Sequence, residues 1–345
     1  CWWCDDAVSG VRGHCVRGHC VWGGTGRAGV LLRSCMSARR YDLVAIDLDG
    51  TLLDHAGRVS EANIRSIRRA RDAGMVVVVC TGRALIETRA VLAAIDLHDP
   101  VVVSGGAMVA DPVTGATLER FTLEPALVSE VVSFLHARGH AALVLKDPHA
   151  TMYDYLAVTP LAAGSDGGGP GEEGLDPASR WWFRKMGVRV RFAAALHHDE
   201  HPEHSIRVGA YAANRPVDEL ASELRETFGD RTNLQHFQGA LLPKERTDQG
   251  ITSVHIVEVF HQQADKWQAI ERLIGRLGID ASRVAAIGDQ LNDLSMITHA
   301  GAAGGLGVAM GNAHERIRAV AGRVTAGHDE SGVSVAIEKM LSGEW

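Results

Sequence analysis

Short apolar runs punctuate the chain at Leu43 to Ile46, Met75 to Cys80, Val101 to Val103 and Val284 to Ile287, each followed by polar or glycine-bearing residues. Runs of this length, β-branched and without alternation, predict strands buried on both faces of a parallel sheet. Between them the period becomes helical. Ser60 stands as an N-cap ahead of Ile64, Ile67 and Ala70, and Gly74 closes that helix. A second helix is predicted over Ala84 to Ile95, and a third, opened by Lys266, carries Ile270, Leu273, Ile274 and Leu277 on one stripe. Ser331-Gly332-Val333 starts a last one. Strand and helix in this alternation predict an α/β fold with a Rossmann-like, doubly wound parallel sheet.

The rhythm changes in the middle of the chain. Strands near Leu118 to Thr122, Ala141 to Leu145, Ser205 to Tyr211 and Asn233 to Phe237, with helices over Pro125 to Arg138 and Val217 to Phe228, predict a separate α+β unit. The core is therefore expected over 40–107 and 251–345, with an insert over 108–250 in which Gly164 to Gly174 form a loop. The strand Val254 to Phe260 is read as the chain's return to the core. Residues 1–38 carry no apolar pattern and repeat Val-Arg-Gly-His-Cys at Val11 and Val16, so a disordered leader or an over-extended gene start is expected. Its Cys and His residues are of the types that bind zinc, but no scaffold is patterned around them.

Composition narrows the classes. A chain of 345 residues with 46% hydrophobic and 22% charged residues is long enough for two domains with cores of their own. Its formal net charge of -7, without a block of Lys and Arg, argues against a nucleic-acid partner. No run approaches the roughly 18 apolar residues of a membrane span. Cysteines crowd the leader, and only Cys80 falls in the body; that usage fits a reducing compartment, with the cytoplasm as the expectation.

Candidate chemistry collects where the predicted strands end. Asp47 and Asp49 follow the first run, and Gly50 starts a turn that lets the two carboxylates diverge, so that one can attack while the other handles protons. Thr81-Gly82-Arg83 after the second run offers a hydroxyl and backbone amides at a helix start, a cradle for an anion. Lys266 in a first helical turn opposes the helix dipole, which an anionic partner would explain. Gly288-Asp289-Gln290-Leu291-Asn292-Asp293 brings further carboxylates to another strand end. His197, His198, Asp199, Glu200, His201, Glu203 and His204 suggest a metal by composition, but Pro202 interrupts them and a solvated loop is the simpler expectation. Trp181 and Trp182 are read as core or surface of the insert.

Asp-x-Asp-Gly-Thr, Thr-Gly-Arg, the helix-opening Lys and Gly-Asp-x-x-Asn-Asp-x-x-Met, in this order, resemble the four motifs of the haloacid dehalogenase superfamily, in its Cof-like subgroup with a large C2-type cap. Gly307 to Ala313 completes the resemblance, which covers about 40 to 341. It implies a phosphatase that hydrolyses a small phosphorylated metabolite, a sugar phosphate or phosphorylated cofactor, through a phosphoaspartate. Asp47 would be the nucleophile and Asp49 the acid and base. Mg²⁺ would be held by Asp47, the Asp49 carbonyl and Asp289, with Asp293 ordering its surroundings. Thr81, Gly82, Lys266 and Asn292 would bind the phosphoryl group. A phosphomutase using the same motifs and a catalytically decayed phosphate-binding protein are the alternatives. Gly105, where the subgroup has Asn, and Trp267, where Gly is usual, depart from the pattern.

Overall fold

The computed structural model describes residues 39–159, 171–214, 216–239 and 250–345, together with the backbone of three short N-terminal strands. These strands, β1 (Trp3–Asp5), β2 (Arg12–Val16) and β3 (His19–Trp22), pair antiparallel in a sheet of their own. The cysteine and histidine side chains considered for zinc lie outside the described residues, as does most of the glycine-rich loop.

The core begins with β4 (Leu43–Asp47), α1 (Glu61–Asp72), β5 (Val76–Cys80), α2 (Leu85–Ala94) and β6 (Val101–Val103). Ser60 caps α1 by accepting from the Asn63 amide, which satisfies one of the helix's free donors. Two further strands, β7 (Met108–Ala110) and β8 (Thr117–Arg120), continue the same sheet antiparallel at its edge. This corrects the expected boundary at 107. Ser104, Gly105 and Gly106 all have positive φ, so the chain reverses there inside one sheet rather than leaving it.

The cap follows: α3 (Pro125–Ala137), β9 (Ala142–Lys146), α4 (Pro148–Thr151), β10 (Tyr155–Val158), α5 (Pro177–Met186), β11 (Val190–Ala193), β12 (Ser205–Ala213), α6 (Asp218–Phe228), β13 (Thr232–Gly239) and β14 (Val254–His261). Its six strands run in the order β11-β10-β9-β12-β14-β13, antiparallel except for β10 and β11. The second expected boundary, at 251, is corrected as well. β14 pairs with β12 on one side and β13 on the other, and its apolar residues complete the cap's core instead of the main one. The chain crosses between domains near Phe121 and His261, whose rings stack 5.6 Å apart.

The return supplies α7 (Lys266–Leu277), β15 (Val284–Gly288), α8 (Leu294–Ala302), β16 (Leu306–Ala309), α9 (Glu315–Val320), β17 (Arg323–Val324) and α10 (Gly332–Ser342). The core sheet reads β17-β16-β15-β4-β5-β6-β7-β8, parallel from β17 to β6. From β4 the chain winds outward to β5 and β6, and later from β15 to β16 and β17 on the other side. The switch point thus falls between β4 and β15, and crevices at such points are where open α/β sheets bind ligands. No helix among the described residues is long and apolar enough to cross a membrane.

Candidate active site

Asp47 is the last residue of β4 and Asp289 the first after β15, so two neighbouring strands deliver carboxylates to the switch point. α7 enters from the cap side with Lys266 in its first turn, held by Asp265, whose carboxylate accepts from the Trp267 and Gln268 amides. Asp47, Lys266, Asp289 and Asp293 are all buried, none more than 4% exposed. Lys266 Nζ donates to Asp47 Oδ1 at 2.5 Å and to Asp293 Oδ1 at 2.6 Å. The other oxygen of Asp293 accepts the backbone amides of Asp289 and Gln290 at 2.9 and 3.1 Å. Asp289 accepts from Thr51 Oγ1 at 2.9 Å and from Gln290 Nε2 at 3.2 Å.

The turn after β4 is shaped around this cluster. Gly50 has φ +81°, and a Cβ there would lie 2.5 Å from Asp289 Oδ2. Gly50→Ala is therefore expected to lower stability by roughly 1–3 kcal/mol through backbone strain and to displace Asp289. A denaturant midpoint close to wild type would show that the turn relaxes freely.

Within the turn, Asp49 diverges from Asp47 as expected. Its carboxylate is half exposed and takes a two-pronged contact from Arg83, at 2.9 Å from Nε and 2.5 Å from the terminal nitrogen. Thr81 is buried at the end of β5, its hydroxyl accepting the Arg83 amide at 3.1 Å. Asn292 is exposed at the rim of the cluster. Trp267 points away from it, into the main core and against the His299 ring.

Electrostatics show what this cluster can hold. Burial first, and then the Asp293 carboxylate, push Asp47 well above the ordinary carboxylate range even though Lys266 opposes them. The same two causes raise Asp289 to about 6. Asp47 therefore depends on positive charge beside it to ionise as readily as an isolated aspartate does. For Lys266 the pull of burial towards the neutral form is outweighed by Asp293 and Asp47. Three carboxylates against one ammonium leave two negative charges uncompensated, and one divalent cation would balance them. One oxygen from each of Asp47, Asp289 and Asp293 lies within 4.8 Å of the others, the one such group among the described residues. All-oxygen donors suit a hard ion such as Mg²⁺. The residues present fit the group, with Asp293 inside the cluster rather than behind it. The histidine-rich stretch from His197 to His204 forms no such group.

Residues to which the sequence reading gave no place in the site complete it. Asn312 donates to the Gly50 carbonyl at 2.8 Å and approaches Asp289 at 3.5 Å, binding the end of β16 to the turn. In the sequence it stood only within Gly307 to Ala313, the segment that completes the resemblance, and had no role of its own there. From the cap, Trp182 Nε1 donates to Glu87 of α2 at 2.7 Å, and Arg207 donates to the Gly82 carbonyl at 2.9 Å while pairing with Glu258 at 2.9 Å.

Comparison with known proteins extends this picture. A profile described as haloacid dehalogenase-like hydrolase matches residues 44–337. A 5-amino-6-(5-phospho-D-ribitylamino)uracil phosphatase of Bacillus subtilis is 29% identical over 88% of this chain and 99% of its own length. A solved haloacid dehalogenase-like hydrolase from Bacteroides thetaiotaomicron aligns with a TM-score of 0.66 at 21% identity, over 87% of this chain and 99% of that one. A solved sugar phosphatase of haloacid dehalogenase subclass IIB aligns with a TM-score of 0.63 at 20% identity, over 87% and 99% of the two chains. With the profile spanning both core segments and the cap between them, the chain belongs to the haloacid dehalogenase-like hydrolase family.

Proposed function

We propose that this hydrolase is a phosphatase that cleaves small phosphate monoesters, with Mg²⁺, through an aspartyl phosphate on Asp47. The observation that carries the reading is Lys266, buried and bridging Asp47 and Asp293, with Asp289 alongside. An ammonium fixed against a carboxylate at a strand end can hold a phosphoryl oxygen beside the attacking atom. Phosphoryl transfer depends mostly on such positioning and charge stabilisation.

Asp47 attacks phosphorus, and the departing oxygen takes a proton from Asp49. Asp49 then removes a proton from the water that attacks the acyl phosphate. To take either role Asp49 exchanges its Arg83 contact for the leaving oxygen or the water. Thr81, Gly82, Lys266 and, from the rim, Asn292 hold the transferred group. Mg²⁺, held by Asp47, Asp289, Asp293 and the Asp49 carbonyl, would neutralise charge on the phosphoryl oxygens. Named relatives act on a phosphorylated ribitylaminouracil and on sugar phosphates, which supports a small phosphorylated metabolite as the substrate here. A buried, free Cys80 is consistent with a cytoplasmic setting.

Phosphate release from p-nitrophenyl phosphate tests the reading. Turnover is expected with Mg²⁺, to cease with chelator, and to drop about 10²- to 10⁴-fold in Asp49→Asn. Metal-independent release, or none under any condition, would sink it. Isomerisation outrunning release, with dependence on a bisphosphate activator, would mark a phosphomutase instead.

A further inference from the structure

The cap sheet turns one face to the core, and a polar row crosses it. Strand register sets Gly209, Glu258 and Gln235 side by side on β12, β14 and β13, with Arg207 two residues before Gly209 on the same face. The row lies over the two loops that follow β5 and β6. Arg207 reaches the Gly82 carbonyl, and a Cβ on Gly105 would stand 2.8 Å from Gln235 Nε2. The room that a side chain at 105 would need is thus taken by a residue of the cap. Neighbouring strands stand about 4.8 Å apart, so these loops lie roughly 5–10 Å sideways from Asp47. The remainder of a phosphorylated molecule of sugar size spans that interval.

Two oxygens in this seam are buried without a hydrogen-bond partner, Glu258 Oε2 and Ser104 Oγ. Buried polar atoms are nearly always paired, so two bare oxygens on facing sides of one seam are places where a bound molecule can donate hydrogen bonds. Arg207 does not offer itself to an anion. Its guanidinium is already shared among Glu258, the Gly82 carbonyl and the Tyr155 hydroxyl at 2.5 Å. Burial pushes the Glu258 carboxyl up to about 7 although Arg207 pulls it down, and a hydroxyl donated to the bare oxygen would favour its ionised form.

We infer that Glu258, Gln235 and Ser104 form the subsite for the leaving group, and that it takes an uncharged polyol or sugar rather than a group bearing a second anion. Glu258 accepts hydroxyls and repels a further phosphate or carboxylate; the Gln235 carboxamide can donate and accept beside it. The assignment rests on the phosphatase reading above.

Steady-state kinetics on a hexose monophosphate, a pentose monophosphate, a sugar bisphosphate and p-nitrophenyl phosphate test it, with Mg²⁺ present. Wild type is expected to favour the monophosphates over the bisphosphate. The ratio of kcat/KM for the sugar monophosphates to that for p-nitrophenyl phosphate should fall about 10- to 100-fold in Glu258→Gln and about 3- to 10-fold in Gln235→Ala. Gln235 is only half-buried, so its variant reports even if Glu258→Gln disturbs folding. Ratios unchanged in both variants, or a wild type that prefers the bisphosphate, overturn the assignment. Wild-type protein that releases phosphate from none of the four esters contradicts the phosphatase reading itself, which separates the two failures.

Discussion

Asp47→Asn should reduce turnover by about 10⁴- to 10⁶-fold, the scale on which enzymes lose activity with their nucleophile, and it should do so without unfolding the protein. The amide keeps the volume of the carboxylate and can still accept from Lys266 Nζ, which sits 2.5 Å from Asp47 Oδ1. It also removes one of three buried like charges whose mutual repulsion helps push Asp47 and Asp289 above their ordinary range. In chelator the variant's thermal midpoint is therefore expected to match or exceed that of wild type. With Mg²⁺ present the order should reverse, because wild type gains more from an ion that the variant binds with one charge fewer. A variant that keeps activity within tenfold of wild type would remove Asp47 from the nucleophile's role. One that unfolds would show the carboxylate to be structural.

Lys266→Met is the complementary case. The lysine is 1% exposed and touches two carboxylates. Methionine fills similar space without a charge, leaving Asp47, Asp289 and Asp293 with no internal counter-charge. Removing one partner of a buried ionic group typically costs about 3–5 kcal/mol. That loss is expected in the denaturant midpoint under chelation, with part of it recovered by Mg²⁺. Turnover should fall at the same time, since the phosphoryl group loses its fixed ammonium. Full stability in chelator combined with lost activity would mean that Lys266 serves catalysis alone.

The chemistry was more legible in the sequence than the domain boundaries were. Asp47, Asp289 and Asp293 follow short apolar runs, and local rules place such residues at strand ends along one edge of a parallel sheet. Lys266 stood out because its charge opposes the helix it opens. What escaped depends on contacts between distant segments. Whether Val254–His261 belongs to the cap or to the core turns on its pairing with Ser205–Ala213 and Thr232–Gly239, and an apolar run reads alike in either sheet. Met108–Ala110 and Thr117–Arg120 were assigned to the wrong domain for a similar reason. Two glycines signal a turn, but not whether the chain that leaves it stays in its sheet. Arg207, Glu258 and Gln235 carried no local signal at all, since they meet only when β12, β14 and β13 align.

Trp267 and Gly105 invited the suspicion of decayed catalysis, and both have ordinary explanations in the fold. The Trp267 ring is buried at the edge of the main core and stacks on the exposed His299, while its backbone amide helps Asp265 to start the helix that presents Lys266. Gly105 leaves the space into which Gln235 extends. Neither removes a group from the acidic cluster.

Rapid acid quenching during turnover, followed by peptide mass spectrometry, addresses the phosphoryl-transfer mechanism most directly. A phosphoryl group is expected on Asp47 in wild type, accumulating further in Asp49→Asn because its hydrolysis is slowed. Phosphate release at an undiminished rate with Asp47 unmodified in both proteins, or with the label on another residue, would contradict it.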